Sequence, residues 1–215
     1  LASEPEFEVI DDAKIDDFIL VHENQLEFKI DIKNGQKTGW FYDQKINSEF
    51  VSSIAKDLDI FDGYCYVGGF GANAIKAQAR SVVFADRSKE AIELAKINSE
   101  FAKKNFNPNC QTEFYSKKIF ELLEDPEFQK KSFDLVLLDP PAFIKSRKDF
   151  FSGIRGYEKL IRLASAVMKK SSFLVISSCS HHASSQDLIS ATQLAMNKLN
   201  RSCKLIRNYG AGFDH

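Results

Sequence analysis

The stretch "YCYVGGFGANA", residues 64–74, leaves an apolar run, passes through three glycines and enters an alanine-containing, helix-forming segment. Gly68, Gly69 and Gly71 stand where a strand would turn into a helix, and without side chains they let backbone pass close to a bound ligand. Asp86 closes the next apolar run, "SVVFAD" (81–86), about 20 residues further on, where a carboxylate can accept both hydroxyl hydrogens of a ribose. Turn and acid together point to an adenosine-bearing cofactor. The same residues would also serve as a tight strand-to-helix turn and an Asp that caps a helix ahead of Ser88. The glycine spacing is not G-x-G-x-x-G, the form that cradles a pyrophosphate at a helix N-terminus. S-adenosylmethionine carries no phosphate and tolerates a looser turn, which favours it over NAD.

Around this stretch, strand-like and helical patterns alternate. Strand-like runs are "IFDGYCYV" (60–67), "SVVFAD" (81–86), "TEFYS" (112–116), "FDLVLLD" (133–139), "SFLVISS" (172–178) and "CKLIRNY" (203–209). Helical periodicity fills the gaps, clearest in "SKEAIELAKINSEFAKKN" and "GYEKLIRLASAVMKK". The alternation predicts an α/β protein with a Rossmann-like, doubly wound, mostly parallel sheet. Upstream, residues 1–25 are acidic and irregular apart from the apolar cluster "FILVHE", and a helical stretch is expected around "SEFVSSIAKDL". Between them "QLEFKIDIKNGQKTGWFYDQ" alternates apolar and polar residues on both sides of Asn34-Gly35, which predicts a β-hairpin turning there. The expected organisation is a segment 1–48 bearing the hairpin, then an α/β domain over 49–215.

The 215 residues are 44% hydrophobic and 27% charged, enough for a substantial core, and the net charge of −1 excludes a uniformly basic nucleic-acid binder while leaving room for a local basic patch. No apolar run approaches the roughly 20 residues of a membrane helix, and no leader opens the chain, so a soluble cytoplasmic protein is expected. The four cysteines are scattered without a C-x-x-C pair, which argues for reduced thiols and against a structural zinc site. Residue 1 is Leu and the end, Gly-Phe-Asp-His, has no helix stop or polar tail, as in a piece of a longer protein.

"LVLLDPPAF" (135–143) places Asp139 at the carboxyl end of a fully apolar strand, on the crevice where open α/β sheets bind ligands. Pro140 and Pro141 stiffen the backbone and fix Phe143, so the loop can grip a planar base by edge hydrogen bonds and stacking, or act as a rigid turn. Downstream, "IKSRKDFFSGIRGYEK" interleaves Lys145, Arg147, Lys148, Arg155 and Lys159 with Phe150, Phe151 and Tyr157. Phe143, Lys145, Arg155 and Tyr157 are the candidates for contact with RNA and an unstacked base, against the alternative of an ordinary solvated surface.

These residues resemble the bacterial family of large-subunit ribosomal RNA cytosine-C5 methyltransferases, which use S-adenosylmethionine. Four blocks carry the resemblance in order: "GQKTGWFYDQ" (35–44), "YVGGFGANA" (66–74), "DPPAFIKSRKD…RGYEKL" (139–160) and "SCS" (178–180). The second and third occur in many methyltransferases; the first and fourth make the likeness specific. It implies an RNA-binding PUA domain ahead of Leu1, a further hairpin strand after "GAGFDH", and large-subunit ribosomal RNA as partner. Carried over by position, Gly68 and Gly69 lie under the cofactor, flanked by Tyr66 and Phe70. Asp86 holds the ribose beside Arg87, and Asp139 with Pro140 sits between the cofactor's methionine end and the target base. The Lys37-Thr38-Gly39 segment, Tyr42 and Asp43 border the same cleft. Three departures stand out: Lys118 in "KKIF" where an acid normally meets the adenine amino group, "KKSS" (169–172) for a Pro-Gly-Gly turn, and "KINS" (45–48) for Arg-x-Asn-Arg.

Cys179 in "FLVISSCSHH" (173–182) sits just beyond a strand-like run, at the same sheet edge as Asp139. Cytosine C5 is a poor nucleophile; a thiolate adding to C6 would activate it, which makes Cys179 the candidate nucleophile, with Ser178 and Ser180 beside it. A buried structural cysteine is the alternative reading. His181 and His182 could handle protons or fill surface. Cys65, Cys110 and Cys203 read as structural, the last within the final strand. Competing functions are a methyltransferase for a base nitrogen, which "DPPAF" also fits and which needs no thiol, a nicotinamide-dependent oxidoreductase, and a catalytically silent RNA-binding module. The sequence leaves oligomeric state open.

Overall fold

The computed structural model describes residues 17–33, 35, 39–180 and 182–210. Two antiparallel strands, β1 (Phe18–Glu23) and β2 (Leu26–Asp31), open it. Their turn is Asn24-Gln25, with φ of +52° and +63°, the left-handed pair that a two-residue hairpin requires. The hairpin therefore turns earlier than the sequence reading placed it. "FILVHE", read as an apolar cluster, is its first strand, while the "YDQ" of the supposed second strand forms a 3-10 turn. Asn34, Lys37 and Thr38 lie outside the described residues. β2 alternates as a half-buried strand should, with Leu26, Phe28 and Ile30 buried.

Helix α1 (Lys45–Ile54) leads into alternating elements: β3 (Asp59–Gly63), α2 (Gly69–Lys76), β4 (Ser81–Asp86), α3 (Lys89–Phe106) and β5 (Gln111–Ser116). There follow α4 (Ile119–Glu124), β6 (Phe133–Leu138), α5 (Phe150–Ala164), β7 (Met168–Ile176) and α6 (Ser185–Lys198). The five strands β3–β7 form one parallel sheet in the order β5-β4-β3-β6-β7. Its central strands are buried on both faces, hence the near-continuous apolar runs in β4 and β6. The chain reverses its direction of growth between β3 and β6, and ligands of such sheets bind outside the carboxyl ends at that point.

Three boundaries differ from the expected ones. β3 stops at Gly63 rather than 67, because Tyr64 and Tyr66 adopt φ of +63° and +49° and break the extended path. β7 begins at Met168, taking residues that helical periodicity claimed, and pairs with β6 through a register irregularity. No strand forms over 203–209 among the described residues; Leu205 and Ile206 stay more than half exposed, so the structure corrects both that strand and the structural role read for Cys203. The segment is attached by cations instead: Arg201 donates to the carbonyls of Ser165, Met168 and Lys169, and the Arg207 guanidinium lies 4.7 Å from the Phe50 ring centroid.

The hairpin is sewn to the α/β layer by Asn98 of α3, which is buried. Its Oδ1 accepts from Lys29 N–H at 2.8 Å, and its Nδ2 donates to the carbonyls of Lys29 (3.2 Å) and Val67 (2.9 Å). Trp40 packs on Phe28 with ring centroids 4.4 Å apart, and its indole N–H donates to Glu23 at 3.1 Å. Asp62, buried in β3, accepts the N–H of Gly71 at 2.9 Å and so ties the start of α2 to the sheet. Burial pushes its carboxyl up to about 7, with the charges of Asp139 and Asp86 adding to the effect and the Gly71 hydrogen bond opposing it.

Two outcomes test these ties. Asn98→Ala removes three hydrogen bonds of a buried amide, the one to Val67 itself buried, and should lower the unfolding free energy in urea by about 3 kcal/mol with an unchanged slope; a loss below about 1 kcal/mol would show that the amide is not the tie. In the unfolded chain Asp62 ionises near 3.8, whereas in the fold it keeps its proton to about 7, so the folded state binds more protons in that window and stability falls as pH rises. The stability of the wild type relative to Asp62→Asn, measured by denaturation at pH 4 to 7, should therefore decline by about 1.4 kcal/mol per pH unit; a pH-independent difference would refute the buried acid.

Candidate functional site

Four segments converge on the carboxyl edge of the sheet: the glycine turn after β3, Asp86 at the end of β4, the Asp139 loop after β6, and the Cys179 loop after β7. Backbone bonds past the strand ends keep them in line. Cys65 N–H donates to the Ala85 carbonyl, Asp139 N–H to Gly63, and Ser177 N–H to Leu138.

In the glycine turn, Gly68 has φ +85° and takes a conformation that L side chains rarely adopt. The missing side chains, however, make room for protein. A Cβ at Gly71 would lie 2.0 Å from Cε1 of Phe84, one at Gly69 would meet Trp40 at 3.3 Å, and one at Gly68 would meet Ala95 and Phe84 at 3.2 Å. At Gly71 the missing side chain serves close packing of α2 on β4, a role the sequence reading did not give it, while Gly68 and Gly69 also sit against Ala95, Phe84 and Trp40. Phe70 is buried in the same core and offers little surface to a cofactor, whereas Tyr66 is half-buried with its ring edge-on to Phe41 at 5.6 Å.

Asp86 holds the turn directly. One carboxylate oxygen accepts from Tyr66 N–H at 3.1 Å and the other from Ser88 N–H at 2.9 Å, while the residue remains partly exposed. A carboxylate fixed by two N–H groups and still open on one side retains lone pairs for a diol, as a ribose-binding acid requires. Ser88, not Asp86, caps α3, accepting from Ala91 N–H. Arg87 is exposed. Lys118, at the place expected to face adenine, is exposed and pairs with Glu121 at 2.9 Å. The carboxylates of Asp86 and Asp139 give this edge an anionic character, which suits a cofactor carrying a sulfonium and an ammonium group.

Asp139 accepts from Gln44 Nε2 at 3.4 Å, and Gln44 is oriented by Asn47 Nδ2 at 2.8 Å. Sequence reasoning did not single out Gln44, although it ends the quoted block 35–44, nor Asp62, whose signal was an acid inside the apolar run 60–67. Tyr42 and Asp43 lie in the 3-10 turn leading to it, with Tyr42 exposed. Pro140 is buried, and its carbonyl lies 3.9 Å from Cys179 Sγ.

Cys179 is exposed, in contrast to Cys65 and Cys110, which are buried and whose thiols burial pushes up, that of Cys110 to about 11. The flanking serines do not reach the sulfur. Ser178 and Ser180 hydroxyls bond to Tyr157 OH, and Ser180 Oγ also accepts from Ile144 N–H at 3.3 Å. Tyr157 is fully buried, which corrects its expected contact with RNA: its ring has no face to offer. Phe143 is half-buried, 4.7 Å from the Tyr157 ring and 6.1 Å from Phe120. Lys145, Arg147, Lys148 and Arg155 are exposed, whereas Lys159 pairs with Glu124 at 2.8 Å. Phe151 is 74% exposed, and Arg155, four residues on, shares its face of α5. His181 lies outside the described residues. No helix among the described residues is long and apolar enough to cross a membrane.

Comparison with known proteins places this geometry. The profile of the S-adenosylmethionine-dependent methyltransferases matches residues 6–194. Ribosomal RNA large subunit methyltransferase I of Pseudoalteromonas atlantica is 35% identical over 166 residues, covering 77% of this chain and 41% of that protein. The protein of the same name from Photobacterium profundum is 29% identical over 201 residues, covering 92% of this chain and 49% of its own length. The chain thus spans less than half the length of these relatives. The crystal structure of SMU.776, described as a methyltransferase and complexed with SAH, superposes with a TM-score of 0.73 at 18% identity over 85% of this chain and 47% of that one, which shows the shared fold. The chain belongs to the S-adenosylmethionine-dependent methyltransferase family.

Proposed function

We propose that this chain is the catalytic part of a methyltransferase that forms 5-methylcytosine in large-subunit ribosomal RNA, with Cys179 as nucleophile. The substrate class follows the names of the relatives. The observation that carries the chemistry is the position of Cys179: an exposed thiol past the end of β7, against the Pro140 carbonyl and therefore beside Asp139.

S-adenosylmethionine supplies an electrophilic methyl group on a positively charged sulfur. Asp86 holds the ribose through the lone pairs left free by Tyr66 and Ser88, and Asp139, steadied by Gln44, lies between the methionine end and the base. The Cys179 thiolate adds to cytosine C6, and the C5–C6 π pair becomes available at C5, which would take the methyl group as the S–CH3 bond breaks, its electron pair staying on sulfur in the departing S-adenosylhomocysteine. A base removes the C5 proton; that electron pair restores the C5–C6 double bond and expels the thiolate. The pyrimidine edge is shielded in a stacked helix, so the target is a single-stranded or extruded cytosine. Phe151 offers a stacking face and Arg155, Lys145, Arg147 and Lys148 offer phosphate contacts beside it. Methylation of a base nitrogen remains the second reading, favoured by the Asp139-Pro140-Pro141 loop, and it needs no thiol.

Full-length protein, labelled S-adenosylmethionine and large-subunit ribosomal RNA separate the two. Cys179→Ala should lose methyl transfer by at least about a thousandfold while binding S-adenosylmethionine as the wild type does in calorimetry. RNA containing 5-fluorocytosine should trap a covalent adduct with the wild type and none with the variant. Retained transfer by Cys179→Ala would hand the assignment to nitrogen methylation.

A further inference from the structure

We propose that Tyr157 is a positioning residue for Cys179: its buried hydroxyl grips the two serines that flank the thiol and so sets where the thiol stands relative to the Asp139 loop. The inference rests on the reading of Cys179 as nucleophile. Tyr157 lies on α5 with no exposed surface. Its OH is 2.8 Å from Ser178 Oγ and 3.3 Å from Ser180 Oγ. Ser180 N–H donates to Ser178 Oγ, and Ile144 N–H donates to Ser180 Oγ, each at 3.3 Å. The three hydroxyls thus link α5, the loop after β7 and the end of the loop after β6 in one network, buried at Tyr157 and Ser180 and half-buried at Ser178. Packing alone does not call for it, since a phenylalanine would fill the ring's volume. The network determines the position of the one residue between the serines, and that residue is the exposed thiol.

The glycines of α5 give this grip its reach. A Cβ at Gly153 would lie 2.3 Å from Ile144 Cγ1 and 2.8 Å from the Phe143 carbonyl, and one at Gly156 would meet the Phe143 ring at 3.2 Å. The loop carrying Asp139 therefore rests on the backbone of the same helix whose tyrosine holds the loop carrying Cys179. One rigid element sets both positions, and a small misplacement of reacting groups is costly in rate.

Tyr157→Phe keeps the ring and removes only the hydroxyl. In full-length protein it should lower kcat for methyl transfer about tenfold or more and leave KM for S-adenosylmethionine within about twofold. Ser178→Ala should reproduce the loss, and the double variant should be no worse than either single one, because both break the same contact. In a Cys203→Ser background, which leaves Cys179 as the exposed thiol, its iodoacetamide alkylation rate should change at least about threefold in Tyr157→Phe. Wild-type transfer together with unchanged alkylation in Tyr157→Phe, or multiplicative losses in the double variant, would overturn the proposal. If the wild type transfers methyl groups independently of Cys179 while alkylation still responds to Tyr157→Phe, the nucleophile reading fails and the grip stands. Should Tyr157→Phe unfold, Ser178→Ala, at a half-buried site, carries the same kinetic and alkylation readouts.

Discussion

Helix α5 puts forward no side chain of its own at Gly153 and Gly156, where Ile144 and Phe143 of the loop after β6 pack onto its backbone, and that contact constrains the Asp139 side of the candidate site. A strand end only delivers a residue to the edge of the sheet; the following loop decides where its functional group stands. Here the Asp139 loop is fixed by two prolines at its start and by α5 at its end. The Cys179 loop lacks prolines and takes its position from Tyr157 and the Ser180 hydroxyl. α5 itself is anchored by buried Leu160, Ile161 and Ala164, so groups from two different strands are referenced to one packed helix. Sites supported in this way hold geometry better than sites on free loops.

The acids of the same edge impose an opposing cost. Asp62 is fully buried and accepts from the Gly71 N–H, and the neighbouring carboxylates oppose its ionisation. A buried carboxyl so placed is destabilising when charged and bearable when neutral. Its benefit is positional, because it fixes the first turn of α2 at the point where Gly68 leaves the ordinary backbone regions. A positive charge bound beside Asp86 and Asp139 would offset that repulsion.

The alternation of strand and helix was readable because each central strand is a continuous apolar run and each long helix keeps a 3.6-residue period. The placement of Cys179, Asp139 and Asp86 at one edge of the sheet was readable for a related reason: each stands at or just beyond the end of such a run. What sequence could not show was which partner a group would choose. Gly71 looks like ligand clearance and is clearance for Phe84; Tyr157 looks like an RNA-stacking aromatic and is a buried hydroxyl; both depend on contacts across elements far apart in sequence. The hairpin was misplaced by local chemistry alone. Asn34-Gly35 has the commoner turn composition, yet Asn24-Gln25 accepts the left-handed backbone, and the burial of Leu26, Phe28 and Ile30 against the helical layer fixes the register.

That hairpin also has a physical connection to the glycine turn. The Asn98 side-chain amide bonds at once to the β2 backbone at Lys29 and to the Val67 carbonyl, one residue ahead of Gly68. Trp40, held by Glu23 of β1, covers the position where Gly69 would carry a side chain. Moving the hairpin would therefore strip a hydrogen bond and a packed ring from the turn within two residues of its left-handed glycine. Conversely, a ligand that held the turn would stabilise the seat of the hairpin, since linkage is reciprocal. The N-terminal strands and the glycine turn act as one unit, coupled through the buried Asn98 amide and through the Trp40 ring packed over Gly69.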